Sequence, residues 1–145
     1  MNKLEKLYKR YEEIELSFVN ANAAGDQAGI EKAKADMRIH RDEVEKQGHG
    51  FMYVYYRFLD MKEAGNSFID IYEPVDHEAE LIRWLRDAGV TAFTYSSGWS
   101  SAVESAWLFQ QNGCRLDGLV EINGRHTEWP SGKREKIHAY LFRIV

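Results

Sequence analysis

The feature that most restricts the fold lies between residues 67 and 113, where short apolar runs alternate with helical stretches. "SFIDIY" has the length and composition of a strand, and "DHEAELIRWLRDAG" repeats its apolar residues at helical spacing. "VTAFTY" reads as a second strand and "SAVESAWLFQQNG" as a second helix. Two strands flanking a helix form a crossover unit, so the strands are expected to be adjacent and parallel. Asp76 is placed to cap the first of these helices and Gly89 to close it, while Asn112 or Gly113 closes the other.

Beyond residue 113 the helical period is lost. "CRLDGLVEI" leads to Asn123-Gly124, the dipeptide that best signals a tight hairpin; "RHTEW" returns, "PSGK" turns again, and "REKIHAYLFRIV" supplies a long last strand. These segments predict an antiparallel meander added to the crossover unit.

The front of the chain is helical. Leu4, Leu7, Tyr11, Ile14, Phe18 and Ala21 recur at spacings of three and four, which puts them on one stripe. Gly25 can end that helix in the left-handed conformation and Asp26 can cap the next, which carries Ile30, Ala33, Met37, His40 and Val44. "GHGFMYVYYRFLDMKEAGN" fits a third helix stopped at Gly65 or Asn66. The expected fold is therefore α+β or mixed α/β. Residues 1–66 form an antiparallel helical hairpin plus a linking helix. Residues 67–145 form β-α-β-α and the meander, in one mixed sheet.

Composition narrows the function classes. Apolar residues make up 44% of the 145 and charged residues 29%, a balance that supports a packed core. The N-terminus is charged throughout and no apolar run is long enough to cross a bilayer, so no membrane partner is expected and the cytoplasm is the expected compartment. Cys114 stands alone, which leaves no internal disulfide. It opens a strand, where burial as a small apolar residue is expected. Trp84 and Trp107 lie on helical stripes and read as core.

Three stretches could carry chemistry. The first is Ser96-Ser97-Gly98-Trp99-Ser100-Ser101, between a strand and a helix. Gly98-Trp99-Ser100-Ser101-Ala102 approaches the nucleophile elbow of hydrolases, and Asp117 and His126 follow in that fold's order, but the last glycine is missing. Ser101 and Glu104 have the spacing of a helix capping box. The remaining hydroxyls, with free amides at a helix start, suit a small anion.

The second stretch is "DIYEPVDHE", whose carboxylates either favour a helix start or gather a hard cation. Helix-start chemistry is the reading adopted, and no metal or other cofactor is expected. If the two strands are parallel, Glu73 faces the serine loop across the carboxyl edge of the sheet, where open α/β sheets hold ligands. The third stretch is basic: residues 123–145 carry five lysine or arginine residues against two glutamates, in a chain of net charge −4. Arg125, Trp129, Lys133, Arg134 and Lys136 could meet phosphates and bases.

None of these completes a catalytic constellation. The expectation is a small noncatalytic interaction or regulatory protein, an adaptor or inhibitor of a larger machine. It would bind a protein partner or a second copy of itself through the helical hairpin. Two alternatives stay open: an anion or phosphorylated ligand at the serine loop, and nucleic acid at the basic hairpin.

Overall fold

The computed structural model describes residues 2–73 and 75–145. Among them are α1 (Lys3–Ala23), α2 (Gln27–Lys46), α3 (His49–Ala64), β1 (Ile69–Ile71), α4 (Glu78–Asp87), β2 (Ala92–Tyr95), α5 (Ala102–Gln111), β3 (Cys114–Thr127) and β4 (Arg134–Ile144). The fold is of the α+β class, with helices first and then a four-stranded mixed sheet ordered β1-β2-β4-β3. The chain forms two compact units, one ending at Tyr55 and the other covering Tyr56–Val145. The division falls inside α3, earlier than the residue-66 boundary expected from the pattern change.

In the first unit α1 and α2 form the expected hairpin. Asn2 caps α1 and Asp26 caps α2, accepting from the Gly29 amide at 3.0 Å, while Gly25 turns the chain at φ +66°. The Lys3 ammonium donates to Gln47 Oε1, which brings the start of α1 to the end of α2. Leu4, Ile14 and Ala21 are buried from α1, and Ala33, His40 and Val44 from α2. The stripe thus packs within the hairpin. His40 Nε2 lies 2.7 Å from the Tyr55 hydroxyl, and burial lowers its pKa.

In the second unit β1 and β2 are parallel, with Ile69 opposite Phe93 and Ile71 opposite Tyr95. β4 inserts antiparallel between β2 and β3. Phe93, Phe109 and Phe142 pack ring on ring with centroids 5.2–5.5 Å apart, so α5 covers the face of the sheet that carries Phe93, Tyr95 and Phe142. Gly89 and Gly113 close α4 and α5 with positive φ, as their positions imply. Cys114 is buried and its thiol is pushed up to about 11 by desolvation, which suits a packing role.

Three local expectations are corrected. Asn123-Gly124 is not a turn: β3 runs through it, and β3 and β4 form one long hairpin whose turn lies beyond Thr127. The register slips instead, with four steps on β3 from Asn123 to Thr127 against two on β4 from Lys136 to Arg134. Asn123 is held by tertiary bonds, its amide to Asn66 Oδ1 at 2.9 Å and its side chain to the Ala64 carbonyl at 2.8 Å. Gly124 makes room for Glu135, whose Cγ would lie 2.8 Å from a β-carbon there. Asp76 does not cap α4, because His77 occupies the cap position and its Nδ1 bonds Asp76 at 2.7 Å. Trp107 is not core; it is 58% exposed. Among the described residues no helix is long and apolar enough to cross a membrane.

Candidate functional site

The parallel pair brings Glu73 and Ser96 to the same edge of the sheet, but the contact between acid and serine is made by Asp70. Its carboxylate accepts from Thr94 Oγ1 at 2.7 Å and from Ser96 Oγ at 2.6 Å. Desolvation raises the Asp70 pKa, and these two bonds oppose the rise. Glu73 turns away to Arg57, which also donates to the Tyr72 hydroxyl and pairs with Asp60. Glu78 meets the buried Ser105 hydroxyl at 2.9 Å. The acidic stretch is thus divided among separate partners, and no three His, Cys, Asp or Glu side chains among the described residues form a metal-ligand group.

The serine loop is open to solvent from Gly98 to Ser101. Ser101 does not form a capping box. Its backbone is already helical, at φ −72° and ψ −7°, and no side-chain cap bond is made, so only its carbonyl enters the helix, accepting from the Ser105 amide at 3.0 Å. The Trp99 amide meets Ser97 Oγ at 3.4 Å, and Trp99 O accepts from the Ala102 amide at 2.9 Å. Asp117, which the hydrolase reading would need beside a histidine, is held by Arg143 Nε at 2.6 Å.

The basic residues are spread and largely engaged. Arg125 lies over the Tyr72 ring at 4.0 Å, on the wall of a polar cleft of about 230 Å³ that also contains Arg57 and Arg134. Arg134 donates to the Gly124 carbonyl at 3.1 Å and pairs with Glu63, and Lys136 bonds Asn123 Oδ1. At the tip Lys133 and Trp129 point into solvent, Trp129 at 94% exposure.

A different surface gathers apolar side chains. Residues directly opposite across a strand pair share a face, so Tyr140 stands beside Tyr95 and Leu119 beside Tyr140. All three lie on the face that α5 covers further along. α5 is short beside the hairpin: its ten residues span ~15 Å, while eleven of β4 span ~35 Å. The uncovered part is a groove of about 490 Å³ between α5 and the hairpin. Val103 and Trp107 wall it from the helix, and Leu116, Leu119 and Tyr140 from the strands. Leu119 is 62% exposed.

Ser96 and Ser97 reach this groove, as do His138 and Gln110. Gly98, Trp99, Ser100 and Ser101 do not line it, and neither does Glu73. Tyr95 lines it while only 3% exposed, and its hydroxyl is buried without a hydrogen-bond partner among the described residues. Among the described residues no Asp, Glu, Lys or Arg lines the groove.

Sequence reasoning missed Tyr95, Trp107, Leu119 and Tyr140. One signal was present: Val103, Trp107 and Gln110 form a stripe at spacings of four and three, beside the buried Ser105 and Phe109. No curated protein and no solved structure matches the chain. Residues 52–144, which run from α3 through β4, match a family described as Domain of unknown function (DUF7698), and the chain belongs to that family.

Proposed function

We propose that the protein is a noncatalytic interaction or regulatory protein of the cytoplasm, and that its recognition surface is the groove between α5 and the β3–β4 hairpin. One observation carries this reading: Val103, Trp107, Leu116, Leu119 and Tyr140, all at least 41% exposed, line a single concavity. Large apolar side chains scattered on a surface need no explanation, but a contiguous patch around a groove marks a binding site. The α1 stripe, which first suggested a partner, supports it less because those residues pack within their own hairpin. A single buried thiol with a raised pKa fits a reducing compartment.

Native mass spectrometry of the full chain, purified gently from the cells that make it, tests this reading. A bound species in the wild type that is lost in Leu119→Arg is the expected result. No bound species in either protein would sink it.

A further inference from the structure

We infer that the groove between α5 and the hairpin takes an uncharged, largely apolar small molecule that presents one hydrogen-bonding group to Tyr95. This rests on the binding reading above and goes further, because the wall chemistry selects the occupant. The volume of about 490 Å³ falls inside the range of about 300–1,000 Å³ typical of small-molecule sites. The walls combine the indole of Trp107, the ring of Tyr140 and the aliphatic groups of Leu116, Leu119 and Val103.

Charge complementarity then excludes most alternatives. An anion or cation that enters such a groove loses hydration and meets no carboxylate, ammonium or guanidinium in return, since no Asp, Glu, Lys or Arg among the described residues lines it. The phosphates and nucleotides suggested by the serine loop are disfavoured for the same reason. The polar groups that remain are the hydroxyls of Ser96 and Ser97, the amide of Gln110 and the ring of His138.

Tyr95 supplies the second, independent observation. A buried hydroxyl is normally paired, because leaving it unpaired forfeits its hydration without replacement. Tyr95 sits edge-on to Phe109, with centroids 5.1 Å apart, and its hydroxyl has no hydrogen-bond partner among the described residues. That hydroxyl is closed off from solvent, so a ligand reaches it only by shifting a side chain of the wall; an N–H or an oxygen brought there recovers the missing bond and confers specificity.

Fluorescence titration of the full chain with N-phenyl-1-naphthylamine tests the inference, with 8-anilinonaphthalene-1-sulfonate as its sulfonated counterpart. The neutral probe should bind saturably and about tenfold or more tighter than the anionic one, because only the latter carries a charge to be desolvated. Leu119→Arg and Trp107→Ala alter exposed positions, so both variants should fold, and each should weaken the neutral probe by about tenfold. Tyr95→Phe should weaken it severalfold while leaving the melting temperature unchanged or higher, since the free protein loses only an unsatisfied group.

Equal binding of the two probes, or neutral binding indifferent to Leu119→Arg, overturns the inference. If native mass spectrometry then still shows a polypeptide bound to the wild type and lost in Leu119→Arg, the groove remains a recognition surface and only the small neutral ligand is refuted. If nothing is bound, both readings fall.

Discussion

A half-buried carboxyl on an edge strand is stable only if its surroundings replace the water it gave up, and at Asp70, on the wall of the polar cleft, that replacement is partial. Thr94 and Ser96 each donate one hydrogen bond, yet desolvation outweighs them and the folded pKa stands above the ordinary 3.8. An acid with a raised folded pKa holds its proton more tightly when folded than when unfolded. Stability is therefore lost as pH rises from the unfolded value through the folded one. Asp70→Asn removes this dependence, and its amide can still accept from Thr94 and donate to Ser96. Urea unfolding should show the variant gaining on the wild type as pH rises from 3 toward neutrality. A difference that stays flat, or runs the other way, would mean that the two hydroxyls favour the ionised form more than burial opposes it. The sequence placed Asp70 in an acidic cluster at a strand end. It could not show that Ser96 would be spent on Asp70, because that contact depends on strand register, whereas the caps at Asn2 and Asp26 depend only on neighbours three residues away.

At the scale of elements, local signals were legible wherever a local cause decided the outcome. The three N-terminal helices, both crossover strands and the glycine stops at Gly25, Gly65, Gly89 and Gly113 follow from spacing and backbone freedom. Asn123-Gly124 misled because Asn66, Ala64 and Glu135, all remote in sequence, recruit it as a bulge within a continuous strand. The tie between α4 and α5 was also invisible. Ser105, 1% exposed, places its hydroxyl within reach of Glu78 Oε1 at 2.9 Å and the Val75 carbonyl at 3.2 Å. Glu78 is itself buried in the first turn of α4. Ser105→Ala would leave a buried carboxylate oxygen without its donor and should cost about 1–3 kcal/mol by denaturant unfolding. Ser101→Ala should be nearly silent, because no cap bond is present to lose. The reverse ranking would restore the capping box as the helix-start device.

At the scale of the molecule, the groove depends on residues of the second unit alone. Tyr95, Trp107, Leu119 and Tyr140 all lie within Tyr56–Val145, and so do the aromatic core and the Asp70 and Ser105 bonds that hold the sheet and helices behind them. The family match likewise begins at residue 52, after α1 and α2. The groove was not legible in the sequence because it arises from a mismatch of lengths, a long hairpin beside a short helix, and the hairpin is long because β3 continues through Asn123-Gly124. A natural cut lies between α2 and α3, where Gly48 takes φ +99° and no regular element is interrupted. The fragment 47–145 keeps all of α3 and the whole sheet. It loses the His40 bond to Tyr55, so its denaturation midpoint should fall below that of the full chain. It should still unfold in one cooperative transition and bind N-phenyl-1-naphthylamine within about twofold of the full chain, since no contact in the groove is removed. Absence of a cooperative transition would show that α1 and α2 are needed to fold the sheet. A folded fragment that no longer binds would sink the assignment of the groove to the second unit alone.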